Sequence, residues 1–206
     1  MSIPAISTFN LTRDFKTVRA LDNLSLDVPA GIIYGFLGPN GAGKTTTIRL
    51  LLGILEPDSG EARVLGYDTR IQAEDIRART GALLEHNGLY ERLTVEENLQ
   101  FYGRIWRMPA HERSARIREL LTHTDLWDRR NERVGTLSRG MKQKLAVSRA
   151  LFHRPSLLFL DEPTSGLDPM AATAVRDDIA GLVKKEGMTV FLTTHNLQEA
   201  EKLCSL

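Results

Sequence analysis

The hydrophobic and polar positions predict short strands that alternate with helices near both ends of the chain. Short apolar runs rich in β-branched and aromatic residues indicate buried strands, and apolar residues three or four positions apart indicate helices. Strands are expected at residues 5–11, 18–28, 32–37, 61–65, 81–85, 156–160 and 188–193. Helices are expected at residues 44–55, 71–79, 171–185 and 198–203. This alternation favours an α/β fold with a mainly parallel sheet.

The pattern changes between residues 94 and 154, where no segment predicts a strand. One helix there is marked by apolar residues at helical spacing, namely Val95, Leu99, Tyr102 and Trp106. Two further helices are expected at 111–121 and 138–152. We therefore expect an inserted helical subdomain at 88–154, within an α/β core formed by 1–87 and 155–206.

The composition is that of an ordinary globular protein, with 42% hydrophobic and 26% charged residues and a formal net charge of +1. This balance gives no basic field for nucleic acid, so no nucleic-acid partner is expected. The single cysteine, Cys204, excludes an internal disulfide and suits a reducing cytoplasm. No apolar run approaches the ~18 residues that span a bilayer, and residues 1–10 lack a signal-peptide pattern. A membrane function would therefore need other subunits.

A glycine-rich segment between a predicted strand and a predicted helix matches the phosphate-loop pattern G-x-x-x-x-G-K-[ST]. Its residues are Gly38, Pro39, Asn40, Gly41, Ala42, Gly43, Lys44 and Thr45. Glycines let backbone N–H groups approach an anion, and the helix that follows adds the positive end of its dipole. Lys44 would neutralise the β- and γ-phosphates of ATP, and the Thr45 hydroxyl would coordinate Mg²⁺. We assign Thr46 to the same nucleotide site.

An apolar strand that ends in two carboxylates, Asp161 and Glu162, predicts the second half of this site. A strand that ends in Asp presents the carboxylate at the carboxyl edge of the sheet, beside the phosphates. Asp161 would hold Mg²⁺, and Glu162 would orient and deprotonate the attacking water. Kinases need a phosphate acceptor and usually lack such a glutamate, so the pair favours hydrolysis over phosphoryl transfer. Without the phosphate loop, two exposed carboxylates in a turn before Pro163 would be an equal interpretation.

These residues resemble the ABC (ATP-binding cassette) ATPase family, and the resemblance extends along the whole chain. Five motifs carry it, in the family's order: the loop at 38–45, Leu-Ser-Arg-Gly-Met-Lys-Gln at 137–143, Leu-Asp-Glu-Pro-Thr at 160–164, Ser-Gly-Leu-Asp at 165–168, and Thr194-His195. The second motif is similar to the signature usually written LSGGQ. The resemblance implies a phosphate-loop core with a mainly parallel sheet, an N-terminal antiparallel β-subdomain and an inserted helical subdomain.

The resemblance also implies roles that depend on a second copy of the domain. In the family two nucleotide-binding domains pack head to tail, so Ser138 and Gly140 of one would contact the γ-phosphate held by Lys44 of the other. Ser138 is a good N-cap, and an ordinary capped helix is the alternative. Asp168 would cross the dimer interface, or would cap the helix that follows it. His195 would contact the γ-phosphate and help to hold the attacking water, although a lone histidine is more often structural.

Two site assignments rest on position within the family pattern alone. Phe15 lies where an aromatic residue stacks on adenine, and a half-buried strand aromatic is the alternative. Glu85 occupies the position of the family's glutamine, which meets Mg²⁺ and the attacking water. A glutamate there adds negative charge beside the triphosphate, so we expect slower hydrolysis or a greater Mg²⁺ requirement. Arg139, where the family usually has glycine, would add positive charge near the partner's phosphate or would simply face solvent.

The resemblance predicts an ATP-hydrolysing subunit that energises transport through separate integral membrane permease subunits. The departures from the family pattern are most similar to exporter-type ATPases, and the expected location is cytoplasmic, on the inner face of the membrane. The face between Gly88 and Met108 would receive the permease. Family members normally continue past Leu206, so we expect a C-terminally truncated chain. The alternatives are a soluble ABC ATPase acting on nucleic acid or ribosomes, and a regulatory module that hydrolyses nothing.

Overall fold

The computed structural model describes residues 3–204. Residues 1 and 2, which belong to the segment 1–10, therefore lie outside the described residues. Leu206, where we expect the chain to be truncated, lies outside them as well. Within them the strands are β1 (Ile6–Phe15), β2 (Val18–Val28), β3 (Ile33–Leu37), β4 (Ser59–Val64), β5 (Tyr67–Asp68), β6 (Thr80–Leu83), β7 (Leu157–Asp161) and β8 (Thr189–Thr194). The α-helices are α1 (Lys44–Leu51), α2 (Ala73–Arg79), α3 (Val95–Ile105), α4 (Ala110–His123), α5 (Arg139–Ala150), α6 (Pro169–Glu186) and α7 (Leu197–Cys204).

The N-terminal strands form an antiparallel sheet of order β2-β1-β4-β5. The sequence pattern ended β1 near Leu11, but the strand continues to Phe15. The residues added to the strand are mostly polar, and Asp58 stabilises this end of it. The Asp58 carboxylate accepts hydrogen bonds from the Asp14 backbone N–H at 2.7 Å and from Arg13 at 3.3 Å. The two-residue strand β5 has no hydrophobic alternation, and the pattern did not predict it.

The parallel sheet has the order β3-β8-β7-β6, and every neighbouring pair in it is parallel. Its carboxyl edge therefore gathers the loops that follow Leu37, Leu83, Asp161 and Thr194. In open α/β sheets this edge is where ligands bind. The expected fold class, with a parallel core sheet, an antiparallel β-subdomain and an inserted helical region, is confirmed.

Helix α1 is shorter than the predicted range 44–55. Leu52 is its C-cap, and Gly53 follows with φ of 61°, a left-handed backbone conformation that commonly ends helices. In the helical region, α3 ends at Ile105, so Trp106 is its C-cap rather than a helical residue. The start of α3 is fixed by a capping box between Thr94 and Glu97.

A buried arginine ties the helical region to the core. Arg116 of α4 is 2% exposed and lies 2.6 Å from Glu186 at the end of α6. Its guanidinium also donates to the backbone carbonyls of Leu151 and Phe152, at 2.6 and 3.2 Å. A buried charge is tolerated when it is paired and hydrogen-bonded in this way. Among residues 3–204, no helix is both long and apolar enough to cross a membrane.

Candidate functional site

A cavity of about 500 Å³ opens at the carboxyl edge of the parallel sheet. The glycine-rich loop and α1 contribute Asn40, Gly41, Gly43, Lys44, Thr45 and Thr46 to its lining. The end of β7 and the segments that follow β6, β7 and β8 contribute Asp161, Glu85, Glu162 and His195. The fold thus brings together both halves of the site that the sequence pattern predicted.

The loop reaches its shape through a glycine that no other residue can replace without strain. Gly43 has φ of 84°, in the left-handed region, and it caps the N-terminus of α1. A Cβ atom at this position would lie 2.2 Å from the carbonyl oxygen of Ala20 in β2. The loop is therefore packed directly against the antiparallel sheet, and α1 begins at Lys44 with its N-terminus at the cavity.

Lys44 is almost fully buried, and its ammonium group is held by three oxygen atoms. It donates hydrogen bonds to the carbonyls of Gly38 at 2.8 Å and Pro39 at 3.0 Å. Glu162 Oε1 lies 3.1 Å from Lys44 Nζ. The loop is closed further by a hydrogen bond from the Ala42 N–H to the Pro39 carbonyl at 3.2 Å. These contacts fix the position of the Lys44 ammonium group without any contribution from a phosphate.

Thr45 and Asp161 are joined directly. The Thr45 hydroxyl donates to Asp161 Oδ2 at 2.6 Å, and the Thr193 hydroxyl donates to Asp161 Oδ1 at 2.5 Å. Asp161 is 6% exposed, so its carboxylate is held on both sides by β8 and α1. Two oxygen ligands from different elements therefore converge at one point of the cavity.

This donor set fits Mg²⁺. A magnesium ion in a nucleotide site is usually held by one or two side-chain oxygens, and phosphate and water oxygens complete its shell. Among the described residues there is no group of three or more His, Cys, Asp or Glu side chains arranged to hold a metal by themselves. Thr45 and Asp161 are accordingly suited to a metal shared with a nucleotide rather than to a protein-only metal site.

Glu162 has a backbone conformation that its sequence does not reveal. Its φ is 50°, which is rare for a residue other than glycine, and its N–H donates to the Thr193 carbonyl at 3.0 Å. Strained backbone of this kind persists where the surrounding structure fixes it, and it concentrates at functional sites. The turn directs the carboxylate between Lys44 and His195, because Oε2 lies 2.5 Å from His195 Nδ1 while Oε1 faces Lys44.

The residues assigned to a second copy of the domain are not in the cavity lining. Ser138 caps α5, and its Oγ accepts a hydrogen bond from the Met141 N–H at 3.3 Å, which confirms the predicted N-cap. Gly140 packs against Ala171 of α6. Asp168 caps α6, where its Oδ1 accepts from the N–H groups of Met170 and Ala171 at 3.0 Å. Their proposed roles toward a partner remain predictions.

Two further assignments lie at the margin of the site. Phe15 is 40% exposed at the end of β1, and the Arg13 guanidinium lies 4.9 Å from its ring centroid. It is not in the cavity lining, although its strand partner Val18 is. Glu85 is exposed and lines the cavity from the loop two residues beyond β6, not from the strand itself. The roles of both residues remain predictions.

Six lining residues were not predicted as site residues: Val18, Ala20, Leu84, Arg139, Gln143 and Ser165. Val18 and Ala20 belong to the antiparallel sheet, and only the packing of that sheet on the phosphate loop brings them here. Arg139 does not simply face solvent, because its Nη2 donates to the Ser165 carbonyl at 3.1 Å. Arg139 and Ser165 each lie in a recognised motif, but nothing else in the sequence indicates that they are in contact.

Comparison with known proteins identifies the family. The family model described as ABC transporter matches residues 21–165. The chain is 42% identical over 190 residues to the ABC transporter ATP-binding protein NatA of Bacillus subtilis. It is 42% identical over 198 residues to the bacitracin transport ATP-binding protein BcrA of Bacillus licheniformis. It is also 43% identical over 199 residues to the daunorubicin/doxorubicin resistance ATP-binding protein DrrA of Streptomyces peucetius.

These alignments cover 92%, 96% and 97% of the chain, and 77%, 64% and 60% of the three relatives respectively. Among solved structures, cbiO1 from Clostridium perfringens, part of the ABC transporter complex cbiONQ, has a TM-score of 0.89 at 25% identity and covers 98% of this chain and 83% of its own. An ATP-binding subunit of an ABC transporter has a TM-score of 0.84 at 32% identity, covering 97% and 83%. The family model, the relatives and the solved structures therefore agree, and the chain belongs to the family of ABC transporter ATP-binding proteins.

Proposed function

We propose that this chain binds ATP together with Mg²⁺, hydrolyses it, and uses the cycle to drive export through separate membrane subunits. The observation that carries the proposal is the arrangement of Lys44, Thr45, Asp161, Glu162 and His195 around one cavity. A phosphate-binding cation, two metal-ligand oxygens and a carboxylate poised as a base are the parts that ATP hydrolysis needs.

Binding would be carried by the loop and the start of α1. Backbone N–H groups of the loop, other than that of Ala42, and the N-terminus of α1 would bind the phosphates, and Lys44 would supply the charge for the β- and γ-phosphates. Bound Mg²⁺ would neutralise charge on the phosphates, with Thr45 and Asp161 as its protein ligands. Asp161 is suited to this role because Thr193 holds one carboxylate oxygen and leaves the other beside Thr45.

Hydrolysis would require Glu162 to accept a proton from water. The water oxygen forms a bond to the γ-phosphorus, the bond to the bridging oxygen of the β-phosphate breaks, and ADP and phosphate result. Glu162 takes the proton that the attacking water loses. The strained turn at Glu162 and the contact of its Oε2 with His195 limit the positions that this carboxylate can take. His195 would act by holding Glu162 and the water in line with the γ-phosphate.

Coupling to transport would follow from association of two such domains across ATP. Ser138 and Gly140 at the start of α5 would meet the γ-phosphate bound by the partner copy, and Asp168 would lie at the interface between the copies. Closure on ATP and release after hydrolysis would move the permease. The relatives named for bacitracin transport and for daunorubicin/doxorubicin resistance support transport, and export in particular.

The chain would lie at the cytoplasmic face of a membrane, where its permease would hold it. The docking surface would lie on the helical subdomain at 88–154, where Tyr90, Phe101, Ile105 and Trp106 are exposed. The α/β core would then comprise 1–87 and 155–206, as the sequence pattern predicted.

Two variants test the chemistry. In Glu162→Gln we expect Mg-ATP to bind with unchanged or tighter affinity, while phosphate release falls at least ~10²-fold because the base is lost. In Lys44→Ala we expect binding itself to weaken by about tenfold or more. Glu61→Gln and Lys184→Ala change the same residue types at exposed positions and serve as controls. Calorimetry gives the binding and a phosphate assay gives the turnover. Full hydrolysis by Glu162→Gln would refute the assignment of the base.

A further inference from the structure

The first turns of α5 are bound to the segment that follows Glu162 by contacts from two side chains. Arg139 Nη2 donates to the Ser165 carbonyl at 3.1 Å, and Gln143 Nε2 donates to the Pro163 carbonyl at 2.5 Å. Both donors come from α5, and both acceptors belong to the short segment between β7 and α6. The segment 163–168 is therefore held at two points along its length.

A glycine in that segment makes room for the Arg139 guanidinium. A Cβ atom on Gly166 would lie 2.5 Å from both terminal nitrogens of Arg139, and Gly166 has φ of 68°. The guanidinium thus lies directly against the backbone of the turn. The planar group combines a hydrogen bond with this contact, which the flexible ammonium of a lysine cannot reproduce.

The helices on either side of the segment also approach closely. A Cβ atom on Gly140 would lie 2.9 Å from the Cβ of Ala171, so the start of α5 packs on the first turns of α6. Within the segment, the Ser165 N–H donates to the Glu162 carbonyl at 3.0 Å, and the Leu167 N–H donates to the Thr164 carbonyl at 3.2 Å. The proposed base, the segment and Asp168 are therefore parts of one connected turn, and Arg139 contacts its centre.

We propose that Arg139 is a positioning residue for ATP hydrolysis: it holds residues 165–168 against α5 and thereby keeps Glu162 and Asp168 in place. This inference rests on the proposed function, and it assigns a role to a residue that stands where the family signature usually has glycine. Arg139 acts through the segment and does not itself touch the reacting atoms in this account. Loss of its side chain releases residues 165–168 from α5, although Gln143 still holds Pro163, and the phosphate loop keeps its nucleotide contacts.

The test measures backbone amide exchange and ATPase kinetics on the same variants. Arg139→Ala retains good helix propensity at the start of α5. We expect the Ser165 and Leu167 amides to exchange at least about fivefold faster in this variant. We expect kcat to fall about tenfold while KM for ATP stays within about twofold, because ground-state nucleotide contacts are kept. Arg133→Ala removes one exposed positive charge six positions before Arg139 in the chain and is expected to change neither quantity.

Arg139→Lys separates positioning from a simple charge effect. If Arg139 positions the segment, the lysine variant keeps fast amide exchange and a reduced kcat together. A wild-type kcat in Arg139→Lys, with amide exchange still fast, would overturn the proposal, because the positive charge alone would then be enough for turnover. Unchanged amide exchange in Arg139→Ala would overturn it as well. A wild-type chain without ATPase activity would refute the proposed function, whereas the exchange rates would still decide whether Arg139 holds the segment.

Discussion

The Thr45 hydroxyl donates a 2.6 Å hydrogen bond to Asp161 across 116 positions of sequence. This contact joins the start of α1 to the end of β7, so the two halves of the candidate site meet through one pair of side chains. Asp161 is nearly buried, and its other oxygen is bound to Thr193 of β8. The position of its charge is therefore set by three elements of the core.

Asp161→Asn tests whether that charge serves a metal. The amide keeps the size of the side chain and one acceptor oxygen, but it removes the negative charge that favours Mg²⁺. We expect the Mg²⁺ concentration for half-maximal ATPase to rise about tenfold or more, since charged oxygen is the stronger ligand. A Mg²⁺ titration of turnover measures this. Thr45→Ser, which keeps the hydroxyl, is the conservative control, and an unaltered Mg²⁺ requirement in Asp161→Asn would remove Asp161 from the metal site.

Glu85→Gln tests the departure from the family pattern at the cavity. Glu85 adds negative charge to a lining that would also face phosphates. Removal of that charge is expected to raise kcat, or to lower the Mg²⁺ requirement, by about twofold to tenfold, the range of one moderately screened charge. Glu56→Gln, at an exposed position away from the cavity lining, controls for the change in net charge. If Glu85→Gln changes neither quantity, Glu85 has no role in the reaction.

Gly43→Ala tests the contact between the phosphate loop and β2. Gly31 has nearly the same left-handed φ, 80° against 84°, but a Cβ atom at Gly31 would have no neighbour within 4 Å. Gly31→Ala therefore costs the backbone strain alone, about 1–2 kcal/mol. Gly43→Ala adds the collision with the Ala20 carbonyl, so we expect a larger loss of unfolding free energy, by at least ~2 kcal/mol, and lost ATP binding. Equal losses in urea unfolding would show that the loop is not packed as described.

Because of His153, we expect the folded chain to lose stability in mild acid. Burial is the main cause that lowers the pKa of its imidazole to about 4; the hydrogen bond to the Thr80 carbonyl opposes the shift, and the nearby charges of Arg116 and Arg149 add to it. The unfolded chain takes up this proton near pH 6.5, whereas the folded chain does so only near pH 4. Folding stability is therefore expected to fall by roughly 2–3 kcal/mol between these two values.

His153→Gln removes this titration, so its unfolding free energy should depend less on pH in the same window. His111, which is well exposed, provides the control as His111→Gln. Urea unfolding at several pH values between 4 and 7 gives the comparison. A wild-type slope that persists unchanged in His153→Gln would show that another group titrates.

Most of the fold and the centre of the site could be predicted from the sequence because they depend on local pattern. The loop with Lys44 and Thr45 has a fixed spacing, and the apolar strand before Asp161 marks a buried strand end. Ser138 could be predicted as a cap because its hydroxyl precedes a helical segment. These signals depend on residue type and on near neighbours in the chain.

What could not be predicted depends on contacts between distant elements. The left-handed backbone of Glu162 arises from the fit of its turn against β8, and nothing in the residue type indicates it. The place of Ala20 against Gly43 follows from the packing of the antiparallel sheet on the phosphate loop. The contact of Arg139 with Ser165 requires α5 and the segment after β7 to be adjacent, which no periodicity in either element encodes.

We propose that two copies of this domain share ATP, and the mass of Glu162→Gln in solution tests this proposal most directly. Loss of the base should trap bound ATP, so light scattering is expected to give the monomer mass without nucleotide and twice that mass with Mg-ATP. Adding Lys44→Ala should abolish the shift, because the phosphate contact is lost. A variant that binds Mg-ATP yet keeps the monomer mass would contradict the shared site and the role of Ser138 across it.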